Sequence, residues 1–433
     1  MARTSLAIGN LRALTILLVV SFHSVLAYLS SQPASQPPFD APPYAWLAIP
    51  IHDPQKWLGF DLYCAFLYVF LMPLMFFISG LFVWPSLARK GARGFVRDRC
   101  LRIGMPFVLG TALLMPAAHY PVYRLTATDP GWAAFWGHWT ALPFWPTGPL
   151  WFLWHILLFG LIAAALYRFA PGFGSRLGRL SARAGEHPAR SLLIFTAISV
   201  LAYLPLASIF KPWDWSRIGP FSTQSAQALL FAAYFFAGLV TGANGIQHGL
   251  LAPDGMLTRR WRLLTGVAFA AFLAWLSVTA LSVESKTPHF VTECLSAFLF
   301  AVSSATACFA IVAIALRFAG RQYPAASSLS ANAYGIYLLH YFFVIWLQYL
   351  LLSAGIFAAA KGAIVSMGVL TLSWSAAIAL GRMPLLGRAI FAEGRAPAAA
   401  PSLQILANEA AASKLRGGPS TIPEPGHGQY RLP

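Results

Sequence analysis

The sequence predicts an all-α, polytopic membrane protein with about ten transmembrane helices in one bundle. Three observations predict it. The chain is 58% hydrophobic and 15% aromatic, with only 10% charged residues and a mean hydropathy of +0.64, whereas soluble domains carry about 25% charged residues. Its apolar runs recur from end to end at the ~20-residue length that a helix needs to cross a bilayer. These runs are continuous instead of alternating in period two, which argues against a membrane β-barrel.

Ten spans follow, at about 12–31, 57–84, 103–122, 148–168, 191–210, 223–243, 263–282, 290–316, 332–353 and 362–381. An even number returns the chain to its starting side. Of the 30 Lys and Arg, 24 lie in the N-terminus, the segments near 85–102, 168–190, 242–262 and 317–331, and the tail after 381. The alternate loops hold only Lys56, Arg124, Lys211, Arg217, Lys286 and Lys361. By the positive-inside rule both termini are cytoplasmic, in a multi-pass protein of the inner membrane. The same distribution turns the net charge of +17 away from nucleic acid and toward the lipid bilayer as the partner of these basic segments. No early cleavage signal is evident, and SQPASQPPFD after the first run reads as a loop.

The opposite loops are Pro-rich (32–56) or tryptophan-rich (GWAAFWGHWTALPFWP, within 123–147). Those tryptophans read either as interfacial anchors or as a vestibule whose rings stack on sugars. Residues 1–390 read as one membrane domain, and 391–433, rich in Ala, Pro and Gly, as a disordered tail. The four cysteines, Cys64, Cys100, Cys294 and Cys308, have neither disulfide nor metal-ligand spacing. No inverted repeat of the transporter kind is evident.

Against this apolar background the ionisable residues stand out, because a charge at bilayer depth is costly and marks function by default. Arg12 and His23 are eleven positions apart in NLRALTILLVVSFHSVLAYLSS. That spacing places them on one helix face, about 16 Å apart along the axis, with Arg12 near the cytoplasmic surface and His23 about mid-bilayer. In RGFVRDRCLRIGMP, Arg99 and Arg102 are i, i+3 neighbours before Pro106. They read either as ordinary positive-inside charge or as guanidinium forks for a phosphate-rich ligand. Ser79 and Gly80 in FFISGLFVW allow close helix contact. His155 (GPLWFLWHILLFG) and His340 (SANAYGIYLLHYFFVIW) read as packing or functional histidines, and Asp61 and Glu293 as acids either of which could orient an imidazole.

Taken in order, Arg-x10-His, FISG, Arg-x-x-Arg with its proline, LWFL and SANAYGIYLLH make the chain resemble the integral-membrane acyltransferase family 3 over roughly residues 6–385. Loop order and RCLRIGMP look closest to the branch that succinylates periplasmic glucans. The resemblance implies an enzyme that O-acylates carbohydrates and related acceptors. It also implies His23 as the essential first-helix histidine, acting as general base or acyl carrier, Arg12 as its preceding arginine and Arg99 and Arg102 as the arginine pair, with all three arginines binding the acyl donor. His340, Asp61 and Glu293 are candidate supports. No bound cofactor or metal is expected, acyl-CoA being a co-substrate and a glycan hydroxyl the acceptor. Asn10 departs from the family, which commonly places an acid there. A proton-coupled carrier or flippase is the rival reading.

Overall fold

A computed structural model describes residues 3–383, apart from 171, 285–289 and 323. Among them, ten helices are long and apolar enough to cross a membrane: α1 (Thr4–Tyr28), α2 (Leu58–Leu81), α3 (Val83–Thr126), α4 (Gly148–Phe169), α5 (Pro188–Ala207), α6 (Ser225–Gly242), α7 (Trp261–Ser282), α8 (Phe290–Phe318), α9 (Pro324–Leu350) and α10 (Ala358–Arg382). The protein is thus an all-α, multi-pass integral membrane protein. The residues read as a disordered tail lie outside the described ones. The pair Trp215–Ile218 and Phe221–Gln224 is the single two-stranded sheet described, turning at Gly219.

Helix α1 packs against α2, α8, α9 and α10, and α3 against α9. α2 and α8 are the most enclosed spans, while α5 and α7 are the least. The seam between α2 and α6 is set by glycine. A Cβ on Gly80 would lie 2.0 Å from the Phe235 carbonyl oxygen, and one on Gly238 would lie 2.1 Å from that of Phe77. Gly242, one turn after Gly238, meets the Leu81 oxygen in the same way at 2.0 Å. Lipid competes with side chains for apolar contact, so helices in a bilayer gain most where small residues let backbones touch.

Two segments read as loops are helical. The run Val83–Arg99 extends α3 well before residue 103, with one break at Gly91 (φ 69°, ψ 168°). Phe173–Glu186 is likewise a helix. Dense arginine marked both as extramembrane, and that same density masked their helical periodicity. The start of α1 also moves: residues before Arg12 continue the helix, with Thr4, Ala7 and Ile8 buried. Arg12 therefore lies nine residues inside the helix, and His23 sits two residues from the end of its α-helical part at Val25 instead of at its middle.

Within α3, π-helical turns at Cys100–Gly104 and Gly110–Leu114 each precede a proline, Pro106 and Pro116. Proline has no N–H and crowds the carbonyl four residues back, and a wider turn accommodates it. The carbonyls so freed need partners in a medium without water. Tyr334 of α9 donates its hydroxyl to the Arg102 oxygen, four residues before Pro106, at 2.7 Å. Trp346 donates its indole N–H to the Ala117 oxygen, four before Pro121, at 3.0 Å. Proline in α3 and hydroxyl or indole in α9 thus lock these helices together.

At the end of the bundle away from the arginines, residues 26–57 fold into an ordered cap. Lys361 of α10 and Asp53 pair at 2.7 Å with both side chains essentially inaccessible. Lys361 also donates to the Leu352 carbonyl at 3.3 Å. Phe39 stacks on Trp46 at 4.7 Å, and Trp139 and Phe135, on the short helix Trp132–Ala141, are buried with them. Trp132 and Trp145 of the same region remain exposed.

The glycine seam makes a stability prediction. Gly238→Val should cost at least about 1–3 kcal/mol, the usual penalty of overpacking, because the obstructing atoms are backbone. Gly266→Val on α7, where nothing lies within 4 Å of an added Cβ, should be tolerated. Thermal midpoints of the two detergent-solubilised variants check this, and equal midpoints would refute it.

Candidate active site

The site is assembled along one face of α9. Ser330, Tyr334, Tyr337, Tyr341 and Gln348 recur at spacings of four, three, four and seven, which at 3.6 residues per turn keeps them within about 40° of a single line. Each contacts a different part of the bundle. Arg12 donates to the Ser330 carbonyl at 3.3 Å, and the Ser330 hydroxyl donates to the Gly9 carbonyl, also at 3.3 Å. One turn on, Tyr334 holds the Arg102 carbonyl. Farther along, the Tyr337 hydroxyl donates to the Pro149 carbonyl. The Tyr341 ring stands edge-on to His23, with centroids 5.5 Å apart.

His23 itself is held on one side. Its Nδ1 lies 2.8 Å from the Val19 carbonyl oxygen. A carbonyl only accepts, so Nδ1 carries the proton and Nε2 of the neutral ring presents its lone pair. Nε2 has no hydrogen-bond partner among the described residues, and the ring is half-buried. His340, completely buried, donates from Nδ1 to the Tyr337 carbonyl at 2.6 Å and turns its Nε2 toward His23 Nδ1 at 3.4 Å. His340 therefore stands behind His23, able to share the Nδ1 proton when the ring takes a second one at Nε2. Gln348 donates to the His23 and Ser24 carbonyls, both at 3.1 Å, satisfying oxygens that the end of the helix leaves open.

At the arginine-rich end, Arg12 and the Arg102 segment lie against adjacent turns of α9, as the two hydrogen bonds above show. The Arg99 guanidinium lies over the Phe95 ring at 5.0 Å. Arg102 pairs with Asp98 at 2.8 Å, and Lys90, brought back by the bend at Gly91, pairs with the same carboxylate at 2.7 Å. Asp98 was not singled out in the sequence, although i, i+4 spacing to Arg102 could have signalled it.

Other sequence candidates lie elsewhere. Asp61 accepts from the backbone N–H groups of Ser30 and Ser31 at 2.8 and 3.0 Å, fastening the cap instead of meeting an imidazole. Glu293 is exposed on the first turn of α8. His155 is satisfied at both nitrogens, by the Trp151 carbonyl and the Thr223 hydroxyl, each at 3.0 Å. Asn10 donates its amide to the carbonyls of Ala319 and Arg321 at 2.7 and 2.9 Å, where α8 has just ended. A carboxylate, with no proton to give, could not make either bond.

An enclosed helical bundle with an unpartnered imidazole nitrogen, backed by a second imidazole and in line with arginines, has the parts of a membrane-embedded group-transfer enzyme. The family model described as acyltransferase domain (Acyl_transf_3) matches residues 6–380, nearly the whole chain. The chain belongs to that family, and it is a membrane acyltransferase. Comparison with curated proteins and with solved structures finds no match.

The His23–His340 contact predicts that His340→Phe, which keeps a ring but no nitrogen, lowers turnover by on the order of 10–100-fold, the scale expected of slight misplacement. Its KM for the acyl donor should be unchanged. Turnover within twofold of wild type, measured with purified protein and labelled donor, would contradict a positioning role.

Proposed function

We propose that the protein moves an acyl group from cytoplasmic acyl-CoA to a hydroxyl of a carbohydrate or glycan acceptor on the other side of the inner membrane, with both termini cytoplasmic. Succinyl and a periplasmic glucan are the group and acceptor that the sequence resemblance favours. The observation that carries the reading is the pinned Nδ1 and open Nε2 of His23, on the same helix as Arg12. The rise between them is about 16 Å, a span that an extended pantetheine arm can cover.

Phosphates of the donor would engage Arg12, Arg99 and Arg102. Arginine suits this because its planar fork matches phosphate oxygens and never loses its charge near neutrality. Asp98 occupies Arg102 in the resting structure, so the donor's phosphate takes over from a carboxylate already there. The thioester then reaches toward His23. Nε2 removes the proton from the acceptor hydroxyl as its oxygen attacks the thioester carbonyl. The C–S bond breaks, the ester forms, and the proton held at Nε2 passes to the departing thiolate. His340 Nε2 supports the imidazolium through the shared Nδ1 proton.

General-base help is worth about 10²–10⁴-fold, so His23→Ala should lose at least roughly that much transfer from labelled acyl-CoA in membranes. Near wild-type transfer would remove His23 from the reaction. For the arginines, a charge-assisted hydrogen bond contributes about 1.5–3 kcal/mol. Arg99→Ala and Arg102→Ala should each raise the donor KM on the order of tenfold without loss of folded protein; unchanged donor titrations would return the pair to simple positive-inside charge.

A further inference from the structure

The aromatic neighbours of His23 lead to a second histidine that the sequence did not mark. Tyr341 lies 5.5 Å from the His23 ring and 5.8 Å from that of His119 on α3. His119 is in turn 5.3 Å from Trp46 and 5.7 Å from Trp139, both centroid to centroid. His119 is wholly inaccessible and Trp139 is 1% exposed.

Two polar atoms in this nest have no partner. His119 donates from Nδ1 to the Met115 carbonyl at 2.8 Å, which leaves its Nε2 as a lone-pair acceptor in the neutral ring. That Nε2 accepts nothing, and the indole N–H of Trp139 donates to nothing. Buried polar atoms are nearly always paired, so each exception calls for an explanation. Here one orphan is an acceptor and the other a donor, on rings whose centroids are 5.7 Å apart. A single hydroxyl placed between them would serve both, donating its O–H to Nε2 and accepting from the indole N–H.

We infer that His119 and Trp139 form a subsite for a hydroxyl of the acceptor, next to the one that His23 deprotonates. The inference rests on the acyltransfer reading above and adds to it the element that holds the acceptor. The subsite has no part in gripping the donor. Trp139 rides on the short helix Trp132–Ala141, joined to the cap through the His138–Asp40 pair at 3.0 Å, so the acceptor is enclosed from the side that holds the cap.

The test separates the two halves of the reaction in full-length protein. Trp139→Phe deletes only the N–H, His119→Leu deletes the acceptor, and His119→Gln keeps one. Hydrolysis of labelled succinyl-CoA by the purified variants reports the donor half. Esters on envelope glycans of cells carrying each variant, read by mass spectrometry, report transfer. Trp139→Phe and His119→Leu should lose tenfold or more of the glycan ester while donor hydrolysis stays within twofold of wild type, and His119→Gln should recover part of the loss. Undiminished esters would overturn the subsite, as would a parallel fall in donor hydrolysis, which would mean that the pair encloses only a structural water. His23→Ala is the control for the underlying reading. If it hydrolyses and transfers normally, that reading fails whatever the subsite variants do.

Discussion

Inside a bilayer no water is at hand to satisfy a backbone carbonyl, and this constraint organises the molecule. Pro106 and Pro121 each free an oxygen of α3, and α9 supplies Tyr334 and Trp346 to claim them. The end of α1 frees two more, and Gln348 of the same helix claims those. α9 is thereby fixed on both α1 and α3, the helices that carry Arg12, His23, Arg99 and Arg102. The needs of the backbone have thus set the register of the side chains. His340 can stand behind His23 because its helix is held above and below the contact.

The charges obey a related economy. At the arginine-rich end they stay half-exposed, and Asp98 shares itself between Lys90 and Arg102. At the capped end the single fully buried ion pair among the described residues, Lys361 with Asp53, ties α10 to the segment that follows α1. Removing one partner of such a pair would leave an isolated charge in a dry site and cost about 3–5 kcal/mol. Between these two ends lie the imidazoles of His23, His119, His155 and His340, which can sit deep in the bundle without a charge. The proposed reading makes use of this distribution, with a phosphate-bearing donor at one end and a neutral hydroxyl toward the other.

Much of this was legible in the sequence, for reasons of local physics. Apolar length gives the ten spans, alternating arginine counts give the order of the loops, and a spacing of eleven puts Arg12 and His23 on one face. Gly80 foretold close packing. What was hidden depends on contacts between distant residues. Nothing local pairs His340 with His23, 317 positions away, or aims Gln348 at the end of α1. His119, between two prolines in PAAHYP, was not singled out. Asp61 drew notice as a buried acid, yet its carboxylate serves backbone amides of the cap. Asn10 looked like a lost carboxylate and is instead an amide cap for α8. Types and faces could be read, but partners could not.

The measurement closest to the heart of the account is a structure of the full-length protein with a non-hydrolysable thioether analogue of an acyl-CoA. The nucleotide phosphates should lie on Arg12, Arg99 and Arg102, with Asp98 released from Arg102, and the acyl end beside His23 Nε2 with room for one hydroxyl between them. An analogue whose acyl end lies on another side of the bundle, with His23 Nε2 turned to lipid, would contradict it.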